Sequence, residues 1–394
     1  MSIILHVDVN SAFLSWTAIE RLRQGDPVDL RTIPSVIGGD EEIRHGVVLA
    51  RSVPSKAYGI VTGESLFEAR RKCPDLVVVA PDRAVYSRQS EAMFNLLSDY
   101  SSVIQRFSID ECYVDYTEAE ARFGPPVELA HLIRQRFKEE LGFTVNIGVS
   151  TNRVLAKMAS ELEKPDRVHT LWPEEIAEKM WPLPVERLYM VGEATAAKLR
   201  QINLNTIGEL AAFDSLHLKS LLKAHGSLIW NYANGIDPSP VVPEGSEEQK
   251  EICRSTTLAV DLTDREALCQ VLMMLAEDVG RDLRKSGKAA GQISVVLKAS
   301  DFKQSSRQIQ TEAVNRTNEL YRYGVKAFDE LWQGQPIRLI GLNAGQLTAA
   351  GTQQLSMFDQ ADKDRQDELE KTIDQIRQKY GRHSIQRGGL NELE

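Results

Sequence analysis

Two short apolar-aromatic runs, Val103 to Phe107 and Cys112 to Tyr116, are separated only by Ser108-Ile109-Asp110-Glu111. Runs of this length around a polar break read as a β-hairpin whose tight end carries two adjacent carboxylates. A third carboxylate, Asp8, closes the first strand-like run, Ile3 to Val7. These features commit the N-terminal part to a sheet. Asn10 or Ser11 can cap the helix that follows, which carries Phe13, Leu14, Ala18, Ile19 and Leu22 at helical spacing. Further helices are expected over Tyr86 to Tyr100, Val127 to Leu141 and Asn152 to Glu163, and a strand over Phe143 to Val149. The stretch from Gln24 to Pro81 is punctuated by Gly and Pro and reads as helical only over Leu66 to Cys73. Such alternation gives a mixed sheet covered by helices.

Beyond residue 165 the pattern is mostly helical, with Leu188 to Phe213 holding a short helix, a Gly turn and a second helix. A Pro-rich acidic stretch from Ile236 to Glu251 has the composition of a linker. After it, strands are expected near Arg254 to Val260, Gln292 to Ala299, Arg307 to Glu312 and Ile337 to Asn343. Helices are expected near Arg265 to Lys285 and Asn315 to Trp332. That order is the ferredoxin-like βαββαβ unit. Gln354-Leu355-Ser356-Met357-Phe358 and a charged helical pattern over Asp362 to Tyr380 complete the chain. The fold class is therefore α+β, in several domains.

A formal net charge of -9 argues weakly against nucleic acid, whose phosphates ask for Lys and Arg. The four cysteines, Cys73, Cys112, Cys253 and Cys269, form no C-x-x-C pair, which disfavours zinc and suits a reducing compartment. No basic leader and no run approaching 18 apolar residues is present, so neither a secretory signal nor a membrane span is expected. The expectation is a soluble cytoplasmic protein, and a monomer.

Asp8, Asp110 and Glu111 supply the charge for two magnesium ions if the first strand neighbours the hairpin, and the Val9 carbonyl offers one more oxygen. The alternative is a strand end and a solvated acidic turn. The helix N-terminus directly after Asp8 points amides and a positive dipole end at any nearby anion, over Asn10, Ser11, Ala12 and Phe13.

The run S-I-D-E-C-Y-V-D, the start H-V-D-V-N and Leu155-Ala156-Lys157-Met158-Ala159-Ser160 resemble Y-family DNA polymerases, in their DNA polymerase IV-like, translesion branch. The resemblance covers residues 1 to about 345. It implies a right-hand polymerase: palm (1–10 and 79–165), small fingers (11–78), a helical thumb with a helix-hairpin-helix (166–240), a linker (241–252), a little finger (253–345) and a tail (346–394). It implies that Asp8, Asp110 and Glu111 are catalytic and hold two Mg2+ ions. Asn10 to Phe13 and Lys157 would meet the triphosphate of a deoxynucleotide, and Phe13 would act as the steric gate against a 2'-hydroxyl. Arg51 to Gly59 aligns with a run that normally carries Tyr and Arg three apart. Val53 and Lys56 stand there, which points to a divergent sub-branch, and Lys56 lacks the bidentate fork that Arg51 can offer. Leu188 to Gly192 resembles the DNA-phosphate hairpin, with Val191 and Gly192 as contacts and Met190 where Gly is usual. Arg254, Lys298, Lys303 and Arg307 are the little-finger phosphate candidates. Gln354, Leu355, Met357 and Phe358 fit the peptide by which bacterial polymerases grip the sliding clamp. The implied function is DNA synthesis across damaged template without proofreading. A clamp-binding accessory or mutasome subunit that kept the fold is the alternative.

Overall fold

In the computed structural model, residues 2–40, 46–243, 249–350 and 360–381, together with 384, 385 and 387, are described. They divide into two compact units, one ending before residue 244 and one beginning after 248.

The first unit opens with β1 (Ile4–Val9), all six residues of which are buried. The backbone turns through Ser11, at φ 49°, into α1 (Ala12–Arg23). Next come β2 (Ser35–Gly38), β3 (Val48–Arg51), α2 (Val53–Lys56), α3 (Leu66–Lys72) and β4 (Val77–Val79). They are followed by α4 (Arg83–Ser98), β5 (Ile104–Arg106), β6 (Glu111–Asp115), α5 (Glu120–Phe123), α6 (Pro126–Arg136), β7 (Val145–Ser150), α7 (Arg153–Ser160) and β8 (Val168–Thr170). Five strands make one sheet in the order β5-β6-β1-β7-β8. The expected hairpin is β5–β6, and Glu111 is the first residue of its second strand. Helices start where the sequence supplies an acceptor: Asp82 takes the amides of Ala84 and Val85 at α4, and Asn152 takes that of Leu155 at α7. α7 lies directly on β7, and only glycine fits at Gly148, where a Cβ would stand 1.9 Å from the Ala156 carbonyl oxygen.

The stretch read as punctuated and helix-poor folds into a second sheet, β3-β2-β4, with a small core of Val36, Val48, Ile60 and Leu66. Its strands are three or four residues long, too short for alternation to register. α1 packs into the core of the five-stranded sheet through Ala12, Trp16 and Ile19.

α8 (Glu193–Gln201), α9 (Ile207–Ala212), α10 (Ser215–Leu222) and α11 (Ala224–Ala233) follow around their own core. The first residues of the expected linker are anchored here. Val241 is buried beside Ile4, Tyr113 and Ala156, and the Val242 amide donates to Gln105.

The second unit runs β9 (Glu251–Leu262), α12 (Arg265–Lys285), β10 (Lys288–Ala299), β11 (Gln304–Val314), α13 (Thr317–Leu331) and β12 (Ile337–Ala349), the order read from the sequence. All pairings in its sheet, β11-β10-β12-β9, are antiparallel. α12 buries Leu268, Leu272, Leu275, Val279 and Leu283 at helical spacing against it. The charged pattern forms α14 (Gln360–Tyr380), which docks by ion pairs rather than by an apolar face. Asp367 holds Arg316, Asp374 holds Arg284 and Arg377 holds Glu277. Buried Glu370 accepts the amide and hydroxyl of Thr317, so α14 caps a helix whose own N-cap residue, Arg316, has no acceptor to give. Gln354, Leu355, Met357 and Phe358 lie outside the described residues. Among those described, no helix is long and apolar enough to cross a membrane.

Candidate active site

The register of the five-stranded sheet decides what meets at the end of β1. Asp8 is paired with Glu111 of β6 on one side and with Asn146 of β7 on the other. Directly opposed residues in an antiparallel pair share a face, so the two carboxylates stand side by side. The Val9 amide donates to the Asp110 carbonyl at 3.1 Å, which pins the hairpin end to the strand end. The first expectation, that distant Asp8 and the Asp110-Glu111 turn are neighbours, is what the sheet shows.

Three carboxylates, Asp8, Glu111 and Glu161, place oxygens within 4.8 Å of one another. That is a hard-oxygen donor set of the kind a divalent cation takes, so the residues fit a metal. Glu161 was not singled out from the sequence. It directly follows α7, whose Lys157 faces Glu111 and whose Ser160 bonds His6. Asp110 stands at the edge of the group, where its carboxylate accepts from the Ser108 hydroxyl at 2.6 Å and lines a cavity shared with Asp8.

Lysines hold the carboxylates. Lys164 lies 2.7 Å from Asp8 and 2.8 Å from Glu161, and Lys157 lies 3.0 Å from Glu111 and 3.8 Å from Glu161. Burial pushes Asp8 up to about 7; Lys164 opposes the rise and neighbouring Glu111 adds to it. Burial also works upward on Glu111, but His6 and Lys157 outweigh it and hold that carboxyl at about 2. Asp110 is raised by burial, against the Ser108 bond, with Glu111 adding to the rise. His6 is wholly buried, which drops it to about 4. The His6 Nδ1 lies 2.8 Å from the Ser160 hydroxyl, which also reaches the Lys157 carbonyl, and its Nε2 lies 3.6 Å from Glu111.

A cavity of about 450 Å³ opens beside Asp8 and Asp110. Asn10, Ser11, Ala12 and Phe13 line it together with Arg31, Arg51, Lys56 and Lys164. No side chain caps the first turn of α1, so its positive end faces the cavity. Asn10 has a second task besides lining the cavity. Its amide donates to Thr144, and its side chain bonds Asn146, Thr144 and the Asp166 amide, so it holds the strand-to-helix turn. The Phe13 ring stacks on Tyr86 with centroids 4.4 Å apart. Lys56 is held below the usual lysine range by burial and by the charges of Arg51 and Lys164. Lys157 sits on Glu111 rather than on the cavity wall. The cation that sequence reasoning missed is Lys164, which stands before Pro165 just past α7; Arg31 was also missed.

The DNA-side candidates divide. Val191 and Gly192 lead into α8, with Gly192 at its N-cap, and Met190 takes φ 71°, the left-handed conformation for which glycine is usual. On the second unit Arg254 is the register partner of buried Leu342 and bonds Asp282 of α12 at 2.9 Å. Arg307 is the partner of buried Val295 and bonds Glu330 of α13 at 2.7 Å. Both thus lean to the helix-covered side of the sheet, where each of these phosphate candidates is held by a helix carboxylate. Lys303, in the β10–β11 turn, bonds Asp301 at 2.9 Å. Lys298 alternates with buried Leu297, so it projects from the open face, with its ammonium 5.0 Å from the Phe302 ring centre.

Comparison with known proteins follows the same lines. The impB/mucB/samB family matches residues 7–161, its C-terminal domain residues 249–357, and the IMS family HHH motif residues 173–204. The chain is 50% identical to the DNA polymerase IV of Clostridium acetobutylicum, over 100% of this chain and 99% of that protein. It is 32% identical to DNA polymerase IV 1 of Bacillus subtilis, over 100% of this chain and 94% of that protein. Among solved structures, a Y-family DNA polymerase chimera matches with a TM-score of 0.74 at 19% identity, over 88% of this chain and 99% of that chain, a likeness of fold.

Proposed function

The chain belongs to the impB/mucB/samB family, with the Y-family polymerase fold, and from that premise we propose how its residues carry out template-directed DNA synthesis across damaged template. The observation that carries the reading is the pairing of Asp8 with Glu111 beside a cavity walled by cations.

Asp8, Asp110 and Glu111 are the catalytic carboxylates, and with the Val9 carbonyl they would hold two Mg2+ ions. The ions would lower the barrier to attack of a primer 3'-hydroxyl on an α-phosphate and stabilise the leaving pyrophosphate. The chain's own part is to bind and orient. The amide end of α1 at Ser11 to Phe13, with Arg31, Arg51, Lys56 and Lys164, meets the triphosphate. Phe13, braced by Tyr86, fills the space beneath the sugar and excludes a 2'-hydroxyl. Lys157 holds Glu111 in place.

The two separate sheets of the first unit and the βαββαβ second unit support a division into palm, fingers, thumb and little finger, with α1 packed on the palm sheet and Val241 anchored in the first unit. Val191, Gly192, Lys298 and Lys303 are the DNA contacts we retain. Residues 354–358 bind the sliding clamp, and the enzyme works as a cytoplasmic monomer. The bacterial sources of the relatives and the four free cysteines support the compartment. No observation favours the accessory-subunit reading.

Primer extension on intact and damaged templates tests the proposal. Wild type should extend both, Asp110→Ala should extend neither, and synthesis retained in Asp110→Ala would sink the catalytic assignment. Deleting residues 354–358 should remove stimulation by the clamp and spare basal extension.

A further inference from the structure

Two metal-binding carboxylates are, in this structure, each in the hands of a lysine. Lys164 reaches Asp8 at 2.7 Å and Lys157 reaches Glu111 at 3.0 Å. A divalent cation at Asp8 and Glu111 must displace those ammonium groups. Lys157 is 9% exposed, and a buried ammonium stripped of its partner is costly. The displaced lysines therefore need another anion within reach.

Glu161 is placed to be that anion. Its Oε1 lies 2.8 Å from the Lys164 Nζ and 3.8 Å from the Lys157 Nζ. It stands four residues after Lys157 and three before Lys164, so one carboxylate faces both lysines from the end of α7. Each lysine already straddles two carboxylates, and changing allegiance asks for no backbone movement.

Resting on the two-metal polymerase reading, we propose that Glu161 is a positioning residue: it takes up Lys157 and Lys164 when divalent cations take Asp8 and Glu111. Lysine and metal thereby exchange on the catalytic carboxylates at little cost. Glu161 afterwards releases Lys164, which lines the cavity, to an arriving triphosphate, which outbids it in charge. Glu161 thus favours metal and competes with nucleotide, two effects of opposite sign that a merely structural residue would not produce.

The experiment uses the full chain without DNA. Mn2+ binding is read by electron paramagnetic resonance, and binding of a fluorescent dATP is read in EDTA, where no divalent cation assists. Glu161→Gln should weaken Mn2+ binding about tenfold while fluorescent dATP binds as tightly as to wild type or tighter. Glu161→Asp should restore Mn2+ affinity to within about threefold. The double variant Lys157→Met/Lys164→Met should bind Mn2+ more tightly than wild type, and in that background Glu161→Gln should change Mn2+ affinity by less than about threefold. Unchanged Mn2+ binding in Glu161→Gln overturns the inference. So does parallel loss of both ligands. A full tenfold loss that persists beside Lys157→Met/Lys164→Met would make Glu161 a metal ligand and also overturn it. Asp8→Asn separates the two levels: if it binds Mn2+ like wild type, the two-metal reading itself fails, whatever Glu161 does.

Discussion

Charge is handled in opposite ways at the end of β1 and on the four-stranded sheet of the second unit. At β1 each lysine is shared: Lys164 touches Asp8 and Glu161, and Lys157 touches Glu111 and Glu161. On the second unit two sheet arginines have settled on helix carboxylates, Arg254 on Asp282 and Arg307 on Glu330. Shared partners keep a cation exchangeable, whereas a two-point guanidinium bond to one carboxylate fixes it. The difference teaches that a basic residue in a sequence becomes available, or is used up, according to the face of the strand that carries it.

The largest effect should come from breaking the shared side. Asp8→Asn should lower primer extension by at least about a thousandfold, because one of the paired carboxylates no longer charges the metal site. The same variant carries a pH signature in metal-free protein. Asp8 titrates at about 7 in the folded state against an ordinary value of 3.8, so the native state binds its proton more tightly than the unfolded chain does. Stability from this group is present at low pH and is lost as pH rises from about 4 through 7. Glu111, held down at about 2, acts in a separate and lower window and in the opposite sense. Thermal unfolding in EDTA should therefore show wild type falling relative to Asp8→Asn between pH 4 and 7, and added Mg2+ should recover the loss in wild type alone. Parallel curves would mean that Asp8 is not strained by its burial.

The settled side breaks differently. Glu370 is 6% exposed; it accepts two bonds from Thr317 and pairs with Arg284. Glu370→Ala leaves the Thr317 amide and hydroxyl at the α13 terminus without their acceptor and Arg284 with Asp374 alone, and should cost about 1–3 kcal/mol. Hydrogen exchange in α13 and α14 reads the loss locally. A change below about 1 kcal/mol would reduce the ion network to surface decoration.

How much of this was legible in the sequence follows from the length of each signal. α12 was read with its bounds intact because 21 residues of helical spacing leave little ambiguity. The β3-β2-β4 sheet was missed because no strand exceeds four residues. Asp8, Asp110 and Glu111 were legible because they sit at strand ends whose apolar runs demanded burial. Glu161 and Lys164 were not, since acids and lysines around a helix end are ordinary and only the tertiary approach of α7 to β1 gives them a role. Arg254 and Arg307 were placed among the phosphate candidates although parity was available: Arg254 shares its face with Ile252 and Arg307 with Ile309, and counting by twos turns both toward the helices.

Met190 shows strain standing where charge does not. It holds φ 71° and is 46% exposed, so its side chain contributes little packing. Met190→Gly should relieve the left-handed penalty, partly offset by glycine's greater unfolded freedom, for a net gain of about 0.5–1 kcal/mol in urea unfolding. A loss of stability would show that the Met190 side chain packs more than its exposure suggests.

The smallest effect sharpens the comparison most directly. Lys298 projects from the open face of the second unit's sheet, while Arg307 belongs to the helix side and to Glu330. Lys298→Gln should weaken DNA binding a few-fold and reduce the slope of log affinity against log salt by about 1, the mark of one lost phosphate contact. Arg307→Gln should leave that slope unchanged, because removing a cation already neutralised by its own helix releases no counterion from DNA. Equal slopes lost in both variants would mean that phosphate displaces Glu330 as readily as metal displaces Lys164, and the contrast between shared and settled cations would fall.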